Sequence, residues 1–155
     1  MKTINTQVDI DASLDEVWRV LTDLPGYTQW NPFIRRVDGH CRANEIVTIH
    51  MEIAGKGRQA YRVKLTAVDS NRRFRWLGHF HIRGLIDGDH TFDLSVLADG
   101  RVRVRQYEYF TGLLVPLVWS SFILRHLLPS FEQLNANLKA WCERRPLPVT
   151  IPAAD

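Results

Sequence analysis

Cysteine is scarce: the 155-residue chain has two, Cys41 and Cys142. Two thiols build no disulfide framework and these two lack zinc-site spacing, so the chain reads as reduced and cytoplasmic. Lysine is scarce too. Four of the 20 basic residues are Lys, the rest are Arg, and they are interleaved with 17 acidic residues without a long run. The net charge of +3 invites a nucleic-acid reading, but interleaved charge describes a solvated sheet face, and no nucleic-acid partner is expected. No apolar stretch follows the first residues, so no secretory signal is expected. The longest apolar run, 113–128, is broken by Pro116, Ser120, Ser121, Arg125 and His126. It falls short of the roughly 20 residues a membrane span needs. Glycine-rich phosphate loops, zinc signatures and a Gly-x-Ser-x-Gly elbow are missing, and with them any pointer to a cofactor.

What is present is an ordinary globular composition, 45% hydrophobic and 24% charged. A chain of this size buries about 70% of its unfolded surface, enough for one core without staples. Ile4, Thr6, Val8 and Ile10 alternate with Asn5, Gln7 and Asp9 as a strand does. Ser13 with Glu16 has the capping-box spacing, and Val17, Trp18, Val20 and Leu21 share a helical face that ends at Pro25-Gly26. Tyr27 to Phe33 allows one further helical turn. From residue 34 to about 110 the chain reads as six strands separated by turn signals, among them Gly55-Lys56-Gly57, Asp69 to Arg72 and Asp99-Gly100. Residues 81–89 read as a loop in this run. Beyond Gly112 the period becomes helical: Leu124, Leu127, Leu128, Phe131, Leu134, Leu138 and Trp141 form one stripe. Pro129 falls inside it and predicts a kink rather than an end. Pro146, Pro148 and Pro152 predict a frayed tail over 146–155 after a single domain spanning 1–145.

The order of these elements, with particular residues, resembles the START-like or SRPBCC superfamily of polyketide cyclase/dehydrase type. The resemblance rests on the opening strand with Ala12 to Trp18, on Trp30-Asn31-Pro32-Phe33, and on Leu77-Gly78 after Arg75-Trp76. It continues through Gly88 to Leu94, Glu108 to Pro116 and Phe131 to Lys139, so that it covers about residues 1–144. Pro129 is a departure, because many relatives run straight there. The resemblance implies an α+β helix-grip, in which a curved seven-stranded antiparallel sheet wraps a long C-terminal helix, with two short helices after the first strand. It also implies a cavity between sheet and helix for an apolar ligand.

Side-chain alternation places Ile49, Met51, Tyr61, Val63, Trp76, Phe92, Leu94, Val104 and Phe110 on the inner face. Three polar residues share their parity: His90, Gln106 and Glu108. For the last two strands to keep Val96 and Val102 on one face, the turn between them must be odd in length or bulged. That register sets Phe92 against Gln106 and His90 against Glu108, so imidazole and carboxylate can touch as a coupled pair. His90 and Glu108 are therefore the candidates for proton transfer. The candidate ligand-binding set is Trp30, Phe33, Met51, Tyr61, Trp76, His90, Phe92, Gln106, Glu108, Phe110 and Asn135. Asn135, on the helix stripe, either donates into the cavity or bonds back to the backbone. His79 and His81 have a chelating spacing but face outward without a third ligand, so no metal is expected. Ile82, Leu85 and Ile86 read as an apolar lid, or as a loop folded over the sheet end.

Three functions fit this pattern. The first is a binding module for an apolar small molecule or lipid. The second is a cyclase or dehydratase in which His90 and Glu108 move protons. The third is an interaction protein that uses the exposed sheet or the segment Leu113–Phe122, and a weak homodimer stays open. The first fits the sparse polar groups on an apolar wall best.

Overall fold

The computed structural model describes residues 1–53, 57–80 and 82–144. Strand β1 (Lys2–Ile10) is followed by helices α1 (Leu14–Thr22) and α2 (Tyr27–Trp30). Six strands come next: β2 (Ile34–Asp38), β3 (Ile46–Ile53), β4 (Gly57–Asp69), β5 (Arg73–His79), β6 (Asp87–Val96) and β7 (Val102–Thr111). All seven form one antiparallel sheet in the order β1-β7-β6-β5-β4-β3-β2. The C-terminal helical run consists of α3 (Val115–Val118), a π-helical segment (Trp119–Leu127) and α4 (Leu128–Cys142). This is the expected α+β helix-grip, a curved sheet with a long helical element across it. Residues 145–155, with the three tail prolines, lie outside the described residues, as do Lys56 and most of its turn.

Local chemistry accounts for these elements. Ser13 Oγ accepts the Glu16 N–H at 3.2 Å and caps α1. The Glu16 carboxylate turns instead to Arg19, 2.7 Å away, so half of the capping box forms. The β6–β7 connection has the odd length the core requires. Leu97 N–H donates to Arg101 O at 2.8 Å around a three-residue turn in which Gly100 takes φ 86°, a left-handed value that suits glycine. The pairs Leu94–Val104, Phe92–Gln106 and His90–Glu108 form as expected.

Three expectations are corrected. First, the β4–β5 register shifts between Leu65 and Ala67, and this bulge reverses the parity beyond it. Val68, opposite Phe74, packs on the core, where unbroken alternation onward from Tyr61 and Val63 would place Ala67. Second, β6 starts at Asp87, so Gly88 and Asp89 are strand and not loop. Third, Pro129 does not kink a uniform α-helix. Lacking an N–H and crowding the carbonyl four residues back, it stands in the first turn of α4, and the chain before it is wound more widely. The wide turn ends with Leu128 N–H donating to Ile123 O, and Ser130 Oγ donates to His126 O at 2.7 Å. The change of pitch moves the buried stripe by one position: Ile123 is 1% exposed and Leu124 is 38% exposed. At the far end Trp141 is also at the surface, and Cys142 is buried in its place.

The core has two parts. The larger lies between the sheet, α1, α2 and the later turns of α4, around Phe74, Phe92, Leu65 and Leu138. The smaller joins Ile4, Phe110, Val115, Ile123 and Phe131 beneath the π-helical segment.

Candidate functional site

Strands β6 and β7 put His90 directly opposite Glu108, and Phe92 opposite Gln106. His90 is 5% exposed and Gln106 fully buried, while the Glu108 side chain keeps some contact with water. His90 Nδ1 lies 3.4 Å from Glu108 Oε2, an ion-pair distance longer than a tight hydrogen bond. On the other side of the ring, Gln106 Nε2 lies 3.2 Å from His90 Nε2. Two nitrogens bond only when one donates and the other accepts, so the amide donates and the imidazole Nε2 accepts. The ring proton then sits on Nδ1, the nitrogen on the Glu108 side of the ring. Aromatic rings hold the imidazole in place. Trp76 from β5 stacks on it at 4.4 Å with planes 12° apart, and the ring centroids of Phe92 and Phe131 are 4.8 and 4.9 Å away.

Two residues missing from the sequence-derived set complete this arrangement. Gly88 pairs with Gly78 on β5 and with Phe110 on β7. A Cβ added at Gly88 would stand 2.1 Å from Glu108 Oε1, so the bare backbone is the notch that receives the carboxylate. Thr6 is the second. It pairs with Gln106 across β1 and β7, and its hydroxyl accepts from Asn135 Nδ2 at 2.9 Å. Its parity with Ile4, Val8 and Ile10 was the available signal, since a polar residue on an otherwise apolar inner row is conspicuous. Asn135 thus crosses from α4 to the sheet, and its amide bonds neither to an open cavity nor back to its own backbone. A cleft of about 580 Å³ runs beside it between β1 and α4, lined by Thr6, Val8, Leu128, Ala136 and Lys139 among others. Two buried acceptors in this region, Gln106 Oε1 and Asn135 Oδ1, have no hydrogen-bond partner.

The remaining members of the expected set are more dispersed. Phe110 belongs to the smaller cluster with Phe131. Met51 and Tyr61 pack on the edge of the larger one, and Tyr61 lies against Phe80 at 5.8 Å. Burial pushes the Tyr61 phenol up from its ordinary value. Trp30 is a core residue, edge-on to Tyr27 at 5.0 Å, and lines a separate cleft of about 200 Å³ with Arg19 and Trp141. Phe33 is half-buried just before β2, where its N–H donates to Asn31 Oδ1. His79 is tied to Asp87 through Nδ1 at 2.8 Å, and His81 lies outside the described residues. Among the described residues no cluster of three metal-ligating side chains forms. The segment around Ile82, Leu85 and Ile86 is fastened rather than free: Leu113 and Leu114 donate to the carbonyls of Gly84 and Leu85 at 2.9 and 3.0 Å. Gly112, with φ 125°, permits that approach, since a Cβ there would meet Leu85 O at 2.4 Å.

A family model described as polyketide cyclase / dehydrase and lipid transport matches residues 1–143. The chain belongs to this family. Among solved structures, the chain is similar to the Zhui aromatase/cyclase from Streptomyces sp. R1128. They share 18% identity over 92% of this chain and 94% of that one, with a TM-score of 0.72. It is also similar to the Aha1 dimer from Colwellia psychrerythraea, with 18% identity, 92% and 97% coverage, and a TM-score of 0.71. DynU16, from the dynemicin biosynthetic locus, superposes with a TM-score of 0.72 at 15% identity; this chain covers 92% of its own length and spans about half, 48%, of that protein. At these identities the likeness establishes the fold. No curated protein matches the chain in sequence. No helix among the described residues is long and apolar enough to cross a membrane.

Both cysteines of this family member are free thiols. Burial pushes the Cys41 thiol up to about 11 and the Cys142 thiol up to about 12. Each is therefore protonated at neutral pH, and the thiolate is the reactive species. Iodoacetamide at pH 8 is expected to label neither at an appreciable rate in the native protein, and both promptly in urea. Rapid native labelling at Cys142 would show that the α4 terminus opens readily.

Proposed function

We propose that the protein binds a largely apolar small molecule or lipid between the sheet and α4, oriented by Glu108, His90 and Gln106. One observation carries the reading. A buried amide acceptor, Gln106 Oε1, is left without a partner beside an imidazole whose other neighbours are aromatic rings and the Glu108 carboxylate. Buried polar atoms are ordinarily satisfied, and a ligand hydroxyl would satisfy this one. Asn135 Oδ1 is a second such acceptor, next to the open β1–α4 cleft, which His90, Gln106 and Glu108 do not line. Phe131 covers the imidazole from the helix side, so entry of a ligand moves Phe131 aside. A cytoplasmic setting belongs to the same reading, since both thiols are free.

Native mass spectrometry of the freshly purified protein, followed by titration with a fatty acid or an environment-sensitive apolar dye, tests this. One molecule per chain is expected. Tryptophan fluorescence should respond, and Trp76→Phe should remove most of that response, because Trp76 is the indole stacked on His90. A protein that neither copurifies with nor takes up any apolar molecule would refute the reading.

A second reading, a cyclase or dehydratase, is favoured by the assigned tautomer. An imidazole whose Nδ1 faces a carboxylate and whose Nε2 accepts from the Gln106 amide is arranged for general acid–base work once a substrate takes the place of that amide. It differs from the first in requiring turnover of a poly-β-keto substrate that fails in Glu108→Gln while binding of the unreacted substrate persists.

A further inference from the structure

The end of the molecule formed by residues 82–86 and α3 exposes aliphatic side chains that nothing among the described residues covers. Leu113 and Leu117 are each 75% exposed and Ile82 is 64% exposed. Hydrogen bonds from Leu113 and Leu114 to Gly84 and Leu85 hold the two segments side by side, so these side chains belong to one surface. Its charge is of one sign. Residues 112–131 contain no acidic side chain. Arg83 and Arg125 are exposed; Arg83 is near enough to Asp87 to help lower its carboxyl, without a direct ion-pair contact. Lys2 lies over the Trp119 ring at 5.5 Å from its centroid. Asp87, the acid that follows the loop, is mostly buried and is engaged by His79 and the Gly84 N–H. On the sheet's outer face the pattern is the opposite, since Arg73, Arg75 and Arg103 are each matched to an aspartate.

We propose that this end docks on an anionic lipid bilayer, with Leu113, Leu117 and Ile82 entering the acyl boundary and Lys2, Arg83 and Arg125 meeting the headgroups. Protruding aliphatic side chains with a cationic surround are the features of an interfacial anchor. A protein partner fits less well, because binding hot spots favour aromatic or Arg anchors in pockets, and leucine is under-represented among them. The exposed Arg83 and Arg125, with Lys2, supply the charge complementarity to an acidic lipid surface. The proposal holds whichever molecule, if any, occupies the space beneath α4, since vesicle binding is read without it.

The test is flotation of the full chain with vesicles of phosphatidylcholine alone or mixed with phosphatidylserine. Binding to the mixed vesicles is expected, weakened by salt, and much weaker binding to the neutral ones. Replacing Arg83 and Arg125 by Ala should weaken it about fivefold per residue. Leu113→Ser with Leu117→Ser should weaken it on the order of a hundredfold. Melting temperatures should stay within a few degrees of the parent, because all four side chains are exposed. Failure of the parent to float, indifference to phosphatidylserine, or full binding by the double leucine variant would each overturn the proposal. So would a concentration-dependent dimer that the leucine variant abolishes while vesicles are ignored, which would assign the patch to a second copy of the chain.

Discussion

Phe131→Ala is expected to cost about 3–5 kcal/mol of stability and, at the same time, to strengthen the binding of a small apolar dye. The first half follows from packing. Phe131 is 7% exposed and joins Ile4, Phe110, Val115 and Ile123 in the smaller core, and its ring lies 4.9 Å from the His90 imidazole. Truncation removes the transfer free energy of the ring and leaves a void that the sheet is too rigid to close. The second half follows from where that void lies. It opens between α4 and an imidazole already walled by Trp76 and Phe92, and an apolar void of that kind stays dry and accepts apolar guests. Urea unfolding and dye titration on the same variant read the two effects separately. Lower stability with unchanged or weaker dye binding would mean that the space beside His90 is not where a ligand sits.

How much of this was legible in the sequence depends on whether a regular period was interrupted. The β6–β7 register was legible to the residue, because one constraint, Val96 and Val102 on the same face, fixes every pair down to His90–Glu108. The polar inner residues emerged from the same alternation. The departures come where the period itself changes. A bulge before Ala67 turns the rest of β4 over, and alternation read across it fails for Ala67 and Val68. The wide turns ahead of Pro129 exchange Leu124 for Ile123, which a 3.6-residue period cannot show. Gly88 was unreadable for another reason. Its importance lies in the absence of an atom, and that gains meaning only once Glu108 is seen to lie over it. Asn135 was assigned to the correct helix face, but its partner, Thr6, is 129 residues away, and no local pattern connects them.

Glu108→Gln is expected to lower ligand affinity by about tenfold or more while lowering stability by less than about 1 kcal/mol. The asymmetry rests on the geometry of the pair. At 3.4 Å, with the carboxylate partly in water, the contact contributes little to folding. The carboxylate charge beside Nδ1 favours the ring proton on that nitrogen, in keeping with Nε2 as the acceptor for Gln106. Glutamine has nearly the same shape but no charge, so the tautomer is no longer fixed and the Gln106 amide loses its set orientation toward a ligand. Gly88→Ala tests the same device without touching either ionisable group. Its Cβ would lie 2.1 Å from Glu108 Oε1, and the flexible carboxylate would swing away from the notch at little cost to folding. The affinity loss should then match that of Glu108→Gln. The double variant, Gly88→Ala with Glu108→Gln, should lose no more than either single one, because both remove one interaction. Losses that simply add would show that Gly88 and Glu108 act separately. A Glu108→Gln variant that loses stability but keeps its affinity would make the pair a structural one.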